Sequence, residues 1–110
     1  MLRRSFIAPV ERNVQLTDGF ATEPYETGWA IEGRWYVHVL EAPEGATLEV
    51  AAETSPEGLT WCAHEAAPVR LTGTGMLTLP VANLGPWQRL VCKVSGATSV
   101  RAICYLTLKG

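Results

Sequence analysis

Short runs of alternating apolar and polar residues, separated by glycine and proline, extend through most of this chain. We predict strands at residues 28–32, 34–41, 46–54, 59–65, 68–72, 75–80, 87–94 and 99–108. Apolar residues alternate instead of recurring at spacings of three and four, so the pattern predicts no amphipathic helix. About eight short strands with turn residues between them are typical of a sandwich or barrel. We therefore predict an all-β fold, a single antiparallel β-sandwich that is jelly-roll-like and carries an irregular N-terminal arm.

Proline and glycine mark two turns in the middle of the chain. Residues 42–45 (APEG) join the runs 34–41 and 46–54, and residues 55–58 (SPEG) follow the second run. These residue types favour the backbone angles that tight reversals need. We predict consecutive hairpins, with residues 59–61 (LTW) beginning the next returning strand.

The run 34–41 is apolar on both of its alternating faces. One face carries Trp35, Val37 and Val39, and the other carries Tyr36, His38 and Leu40. Because a strand that is apolar on both faces is buried on both, this pattern is typical of a central strand. We predict that sheet, loop or a neighbouring subunit covers each side.

The last two runs are predicted to pair as a hairpin across residues 95–99, with Val94 opposite Val100. In that register the core face carries Leu90, Cys92, Val94, Val100, Ala102, Cys104 and Leu106. The opposite face carries Arg89, Val91, Lys93, Arg101, Ile103 and Tyr105, a mixture that suits a contact surface. A slip of one residue would bury Arg101, so the hydrophobic pattern determines which residues face the core.

Residues 1–27 are the least regular part of the chain, because Pro9 and the pair Asp18-Gly19 interrupt short apolar pieces. We divide the chain into an N-terminal arm and loop at residues 1–27 and a β-sandwich domain at residues 28–110. Two interpretations of the first segment stay open. It is either an edge strand followed by a long loop, or an extended arm that orders only on a partner.

The composition argues against several functional classes. A chain of 110 residues suits one domain, and its net charge of −2 produces no global field that attracts nucleic acid or an anionic membrane. No apolar run approaches the ~20 residues of a membrane-spanning helix. The apolar stretch near the N-terminus is broken by Pro9 and is too short for the ~7–15-residue core of a secretory signal. We expect cytoplasmic synthesis without export through the general secretion route.

Reactive residue types do not combine into a catalytic or metal site. Cys62, Cys92 and Cys104 have no CxxC spacing, so we predict buried free thiols, with a strained Cys92–Cys104 disulfide as the alternative. Cys62 and His64 supply at most half of a metal site, which needs three or four ligands. Asp18 is the only aspartate, and the glutamates are scattered singly. We expect a protein that is not an enzyme and holds no metal and no cofactor.

Four tryptophans are many for a chain of this length. Trp35 and Trp61 lie inside predicted strands and are expected to anchor the core or an interface. Trp29 and Trp87 flank turns and are better candidates for surface contacts. Exposed tryptophans on a β-sandwich can also stack on sugar rings, which keeps a carbohydrate-binding module as an alternative function.

Two patterns resemble known proteins. Residues 55–61 (SPEGLTW) resemble the S-x-D-G-x-T-W hairpin of many β-sandwich and β-propeller proteins, with Glu57 in the position of the aspartate. We expect that replacement to weaken the bracing of the loop. The wider layout of residues 28–109, which includes LEV at 48–50 and WQRLVCKVSG at 87–96, resembles the small β-sandwich structural proteins of tailed bacteriophages, prophages and gene transfer agents.

The resemblance implies a head decoration protein or a small head, neck or tail subunit, and it supplies no catalytic residues. We predict a non-enzymatic virion structural protein that binds an assembled capsid or neck surface and stabilises it. Expected partners are the major capsid protein or other virion subunits and further copies of this chain, without direct contact to nucleic acid or membrane. The expected location is the virion, after synthesis in the host cytoplasm. The predicted contact residues are Arg3, Arg4, Phe6, Ile7 and Arg12 in the arm, with Trp29 and Trp87 as loop anchors.

Overall fold

Two antiparallel sheets pack face to face in a computed structural model of the protein, which describes residues 5–110. The strands are β1 (Ser5–Thr17), β2 (Tyr25–Glu26), β3 (Glu32–Glu41), β4 (Thr47–Ser55), β5 (Cys62–Ala63), β6 (Val69–Thr72), β7 (Gly75–Ala82), β8 (Trp87–Ser95) and β9 (Ser99–Lys109). Sheet A has the order β1-β9-β3-β7, and sheet B has the order β2-β8-β4-β5 with β6 beside β4. Within residues 5–110 there is no helix long and apolar enough to cross a membrane.

Successive strands alternate between the two sheets, except that β4, β5 and β6 follow one another in sheet B. Six of the eight connections therefore cross from one sheet to the other, and residues of both sheets form one core. This arrangement of two antiparallel sheets is a jelly roll. The predicted all-β, jelly-roll-like sandwich is confirmed.

The turn at residues 42–45 joins the two sheets and does not close a hairpin. It leads from β3 in sheet A to β4 in sheet B, and the Ala46 N–H donates to the Pro43 carbonyl at 3.0 Å. Gly45 has a φ of 80°, a left-handed conformation that favours glycine. The prediction of a hairpin is wrong here, because a tight turn of proline and glycine serves a crossing between sheets equally well.

Two of the predicted strands are shorter than expected or missing. Within residues 59–65 only β5 is a strand, and it forms the predicted hairpin with β4 through the pairs Thr54–Cys62 and Glu53–Ala63. Residues 28–31 form a turn, and β3 begins at Glu32.

The N-terminal segment is an edge strand over residues 5–17, which is the first of the two interpretations left open by the sequence. β1 pairs with β9 and contains two irregularities, between Pro9 and Glu11 and between Glu11 and Val14. Asn13, inside the second irregularity, has a φ of 52°. Proline is tolerated at an edge because its missing N–H faces away from the sheet. The division of the chain between residues 27 and 28 stays a prediction.

The last two strands have the predicted faces but different partners. All seven predicted core residues, from Leu90 to Leu106, are buried. However, β8 pairs with β2 and β4 in sheet B, whereas β9 pairs with β1 and β3 in sheet A. The predicted pairing of Val94 with Val100 is wrong, because alternation shows which face of a strand is buried and not which strand lies beside it.

The core between the sheets is centred on Trp35, which is fully buried. Its indole N–H donates to the side-chain carbonyl of Gln88 in the opposite sheet at 3.4 Å, and the Gln88 amide donates to the Leu84 carbonyl at 2.7 Å. A buried side-chain amide is tolerated in a core when both its oxygen and its nitrogen are hydrogen-bonded, as they are here. This contact therefore connects β3 to β8 across the sandwich.

Candidate functional site

The outer face of sheet A carries partly exposed apolar side chains from all four of its strands. Its members, which we call the apolar face, are Ile7, Pro9, Tyr36, His38, Leu40, Met76, Ile103 and Tyr105. Tyr36 pairs with Tyr105, and Tyr105 pairs with Pro9, so one row of the face runs across three strands. Large exposed apolar patches often mark sites of interaction with other molecules.

Three residues of the apolar face are among the most exposed large hydrophobic residues of the described chain. Ile7 is 67% exposed, Met76 is 54% exposed and Leu40 is 37% exposed. β3 is the predicted central strand, because it lies between β9 and β7. The prediction that both of its sides are covered is met by this chain only on the inner side, where Trp35 and Val37 are buried. On the outer side Tyr36 and His38 are only partly buried and Leu40 is exposed.

The predicted contact residues of the arm lie on β1. Phe6 is 45% exposed, and its ring centroid is 6.1 Å from that of Tyr25 on β2, the edge strand of sheet B. Ile7 points to the apolar face, because it pairs with the outward-facing Thr107. Arg12 is exposed beside the irregular part of the strand. Arg3 and Arg4 lie outside the described residues.

The outer face of sheet B has a different character, because charged side chains pair with one another across its strands. The Glu49 carboxylate forms ion pairs with Arg70, with an N–O distance of 2.9 Å, and with Lys93, with an N–O distance of 3.9 Å. Glu53 receives Arg89 at 2.7 Å, and both of these side chains are only 26% exposed. Cross-strand pairs of opposite charge stabilise a sheet while keeping its surface soluble.

The tryptophans are spread over the molecule and do not form one platform. The guanidinium of Arg89 lies 4.4 Å from the ring centroid of Trp61, a distance typical of a cation–π contact. Trp87 lies against Gly58, where an added Cβ would come within 3.2 Å of the indole. Trp29 is half-buried against the core and Gly110. Trp35 lies in the core, so all four indole rings pack against other residues of this protein.

Glu57 braces the turn that follows β4. Its carboxylate accepts hydrogen bonds from the Thr60 N–H at 2.7 Å, the Leu59 N–H at 3.2 Å and the Ser55 hydroxyl at 2.9 Å. These hydrogen bonds lower the pKa of Glu57, and the bond from Thr60 contributes most. The expectation of weaker bracing is wrong, because the glutamate side chain reaches two backbone N–H groups of the turn.

The residues with possible nucleophilic or metal chemistry stay apart. Burial raises the pKa of Cys92 and of Cys104 to about 12, so both thiols are protonated and unreactive at neutral pH. The two cysteines are buried and free, as predicted, whereas Cys62 is exposed. The prediction of burial is wrong for Cys62, because β5 lies at the edge of sheet B. Across residues 5–110 no group of three or more histidine, cysteine, aspartate or glutamate side chains could hold a metal ion.

Both ring nitrogens of His64 are engaged in structural hydrogen bonds. Nδ1 accepts the Ala66 N–H at 3.0 Å, and Nε2 lies 2.6 Å from the Ala82 carbonyl oxygen. Because the carbonyl can only accept, these bonds assign the proton to Nε2. Cys62 is exposed and His64 is buried, so the two side chains do not form half of a metal site, and His64 instead attaches its segment to the edge strand β7.

A groove of about 740 Å³ lies where residues 64–66 meet the outer face of sheet A. Its polar lining residues include Glu32, Arg34, Tyr36, Glu65, Asn83 and Lys109. They come from β3, β9, the end of β7 and the segment after β5. No sequence motif predicts this grouping, because the residues are brought together only by the crossing connections of the jelly roll.

Comparison with known proteins finds the same fold in several solved structures. No family model matches the sequence, and no curated protein matches it. The SPBc2 prophage-derived protein YomS matches 100% of this chain and 96% of its own, with a TM-score of 0.70 and 9% identity. This chain therefore shares its fold with a prophage-derived protein. The predicted resemblance to small phage and prophage β-sandwich proteins is thus confirmed at the level of the fold.

Two larger proteins contain the same fold as one part of their chains. The PBSX exported protein XepA matches 94% of this chain and 36% of its own, with a TM-score of 0.67 and 12% identity. The VP2 subviral particle of infectious bursal disease virus matches 97% of this chain and 32% of its own, with a TM-score of 0.55 and 11% identity. At these identities the similarity establishes a common architecture.

Proposed function

We propose that this protein is a non-enzymatic virion structural protein that binds an assembled capsid or neck surface and stabilises it. The observation that carries the proposal is the apolar face of sheet A, which extends from the edge strand β1 to Met76 on β7. The fold shared with prophage-derived proteins supports a place in a phage-like particle. Further copies of this chain on the same particle, and a location in the virion, belong to the same proposal.

The apolar face is close to the smallest size of a specific contact. Four strands at a spacing of about 4.8 Å and about eight residues of 3.3 Å each give roughly 500 Å². Covering it would remove roughly 1,000 Å² from both partners together, which is near the lower limit for a specific interface. A contact of this size needs contributions from beyond the face. We assign these to Phe6 and Arg12 on β1, to the predicted residues Arg3 and Arg4, and to Trp29. Trp87 lies on sheet B under the turn at Gly58, so we do not include it in this contact.

Binding to the assembled form alone would stabilise the particle by mass action. A protein that binds a closed shell and not its free subunits shifts the assembly equilibrium by RT ln(1 + [L]/Kd). The jelly roll contributes a rigid block, since its crossing connections hold both sheets to one core. The apolar side chains contribute about 25 cal/mol for each Å² that they bury, before the cost of association.

Quantitative mass spectrometry of purified particles from the source tests this proposal. The expected result is that the chain is present in a fixed ratio to the major capsid subunit. A ratio near one indicates decoration of the shell, and a small number set by vertex or tail symmetry indicates a neck or tail part. Absence of the chain from the particles would overturn the proposal.

A further inference from the structure

The groove beside β7 shares Tyr36 with the apolar face, but its other lining side chains are mostly polar or charged. We propose that it binds a neutral oligosaccharide. Its volume of about 740 Å³ is within the range of small-molecule sites, roughly 300–1,000 Å³. It lies on the β7 side of sheet A, whereas the exposed residues of the arm lie on β1 at the opposite edge. The inference goes beyond the proposed function and does not depend on it.

The groove is a built feature with fixed walls. One hydrogen bond of His64 joins it to Ala82 on β7, and the other, from the Ala66 N–H, fixes the segment that follows. On the floor, Arg34 Nη1 donates to the Thr78 hydroxyl at 3.2 Å, and that hydroxyl donates to the Trp35 carbonyl at 3.0 Å. The Arg34 side chain is therefore positioned before any ligand arrives, and its other N–H groups supply donors to a ligand.

The charges around the groove balance. Glu32 and Glu65 supply two negative charges, and Arg34 and Lys109 supply two positive charges. His64 is neutral in the hydrogen-bonding arrangement described above. An anionic ligand is repelled by the carboxylates and a cationic ligand by the basic groups. A neutral ligand with many hydroxyl groups can donate to the carboxylates and accept from the basic groups at the same time.

Tyr36 selects sugars among neutral polar ligands. Its half-buried side chain forms part of the floor and presents an apolar ring with a polar hydroxyl. A pyranose ring has an apolar C–H face and a rim of hydroxyl groups, so it can lie on the tyrosine while its rim meets Arg34 and Asn83. An extended peptide is less suited, because the floor is a sheet face and offers few free backbone groups.

Titration of the full chain by two-dimensional NMR with defined hexasaccharides tests the inference. The neutral probes are cellohexaose, xylohexaose and maltohexaose, and the anionic probe is hexagalacturonate. We expect at least one neutral probe to bind at millimolar or lower concentration and to shift the amides of residues 32–36 and Ala82. Failure of all three neutral probes at millimolar concentration, or shifts confined to Trp61 and Trp87, would overturn it.

A pair of tyrosines gives a matched control. Tyr36 and Tyr105 are cross-strand partners on the same face and are both half-buried, but only Tyr36 lines the groove. Tyr36→Ala should lower the affinity about tenfold, whereas Tyr105→Ala should change it by less than about twofold. Equal effects of the two substitutions would place the sugar elsewhere and contradict the inference.

A charge substitution tests the selectivity separately. The Glu65 side chain is 85% exposed, so Glu65→Lys should leave the fold unchanged. The substitution makes the groove positively charged, and it should give hexagalacturonate an affinity at least about threefold higher than wild type gives. Unchanged selection against the anionic probe would refute the charge argument. None of these outcomes bears on the presence of the chain in particles.

Discussion

The two outer faces of the sandwich differ although the same alternating pattern produces both. On sheet B, Glu49 and Glu53 form ion pairs with basic side chains of neighbouring strands, so the charges of this face are paired within the chain. On sheet A, Ile7, Met76 and Leu40 stand partly exposed around two paired tyrosines. This difference is the reason why we propose sheet A as the face that meets a partner.

The largest loss of stability is expected in the core between the two sheets. Trp35→Ala removes a fully buried indole and its hydrogen bond to Gln88, and it leaves a cavity between the sheets. The free energy of unfolding should fall by about 3–5 kcal/mol, which is enough to unfold many domains of this size. Urea denaturation measures it. A loss below about 1 kcal/mol would show that the sheets do not depend on this contact.

A smaller loss of stability is expected when an ion pair on the outer face of sheet B is removed. Arg89→Ala removes both the half-buried pair with Glu53 and the contact with Trp61, and it should cost about 1 kcal/mol. The control is Lys93→Ala, because Lys93 is 76% exposed and lies 3.9 Å from its carboxylate. That control should cost less than about 0.5 kcal/mol in the same denaturation experiment. Equal costs would mean that the network on sheet B contributes no specific stability.

The smallest effect concerns the turn that covers Trp87 on sheet B. Because the folded-state pKa of Glu57 is lowered below 4.5, its contribution to stability is present above that pH and is lost as the pH falls through the folded pKa. Glu57→Gln should remove this part of the acid dependence. Denaturation curves of the wild type and the variant from about pH 6 to about pH 3 measure the difference. Parallel curves would exclude Glu57 as a source of acid sensitivity.

The sequence predicts the faces of the strands better than their neighbours. The alternation in residues 87–94 and 99–108 correctly separates the buried Cys92 and Cys104 from the outward Arg89 and Tyr105. It does not show that β8 and β9 belong to different sheets, because a crossing connection and a hairpin leave the same pattern. Pairing depends on the packing of the whole core.

The N-terminal strand and the groove show two other limits of prediction. Pro9 and Asn13 interrupt the pattern of β1, and the strand continues only because two irregularities restore its pairing with β9. The groove joins Glu32, Glu65 and Lys109 from distant parts of the chain, so no local pattern contains it. The resemblance to phage proteins, in contrast, depended on the overall layout, and the shared fold confirms it at that level.

Co-sedimentation of labelled protein with purified particles tests the central claim most directly, with two substitutions on opposite sides of the sandwich. Ile7→Asp places a charge on the apolar face, and Leu59→Asp places the same charge in the turn beside sheet B, where the leucine is 83% exposed. Neither residue is buried, so both variants should fold like the wild type. We expect Ile7→Asp to weaken binding at least about tenfold and Leu59→Asp to change it by less than about twofold. Undiminished binding of Ile7→Asp, or a greater loss with Leu59→Asp, would contradict the assignment of sheet A as the contact face.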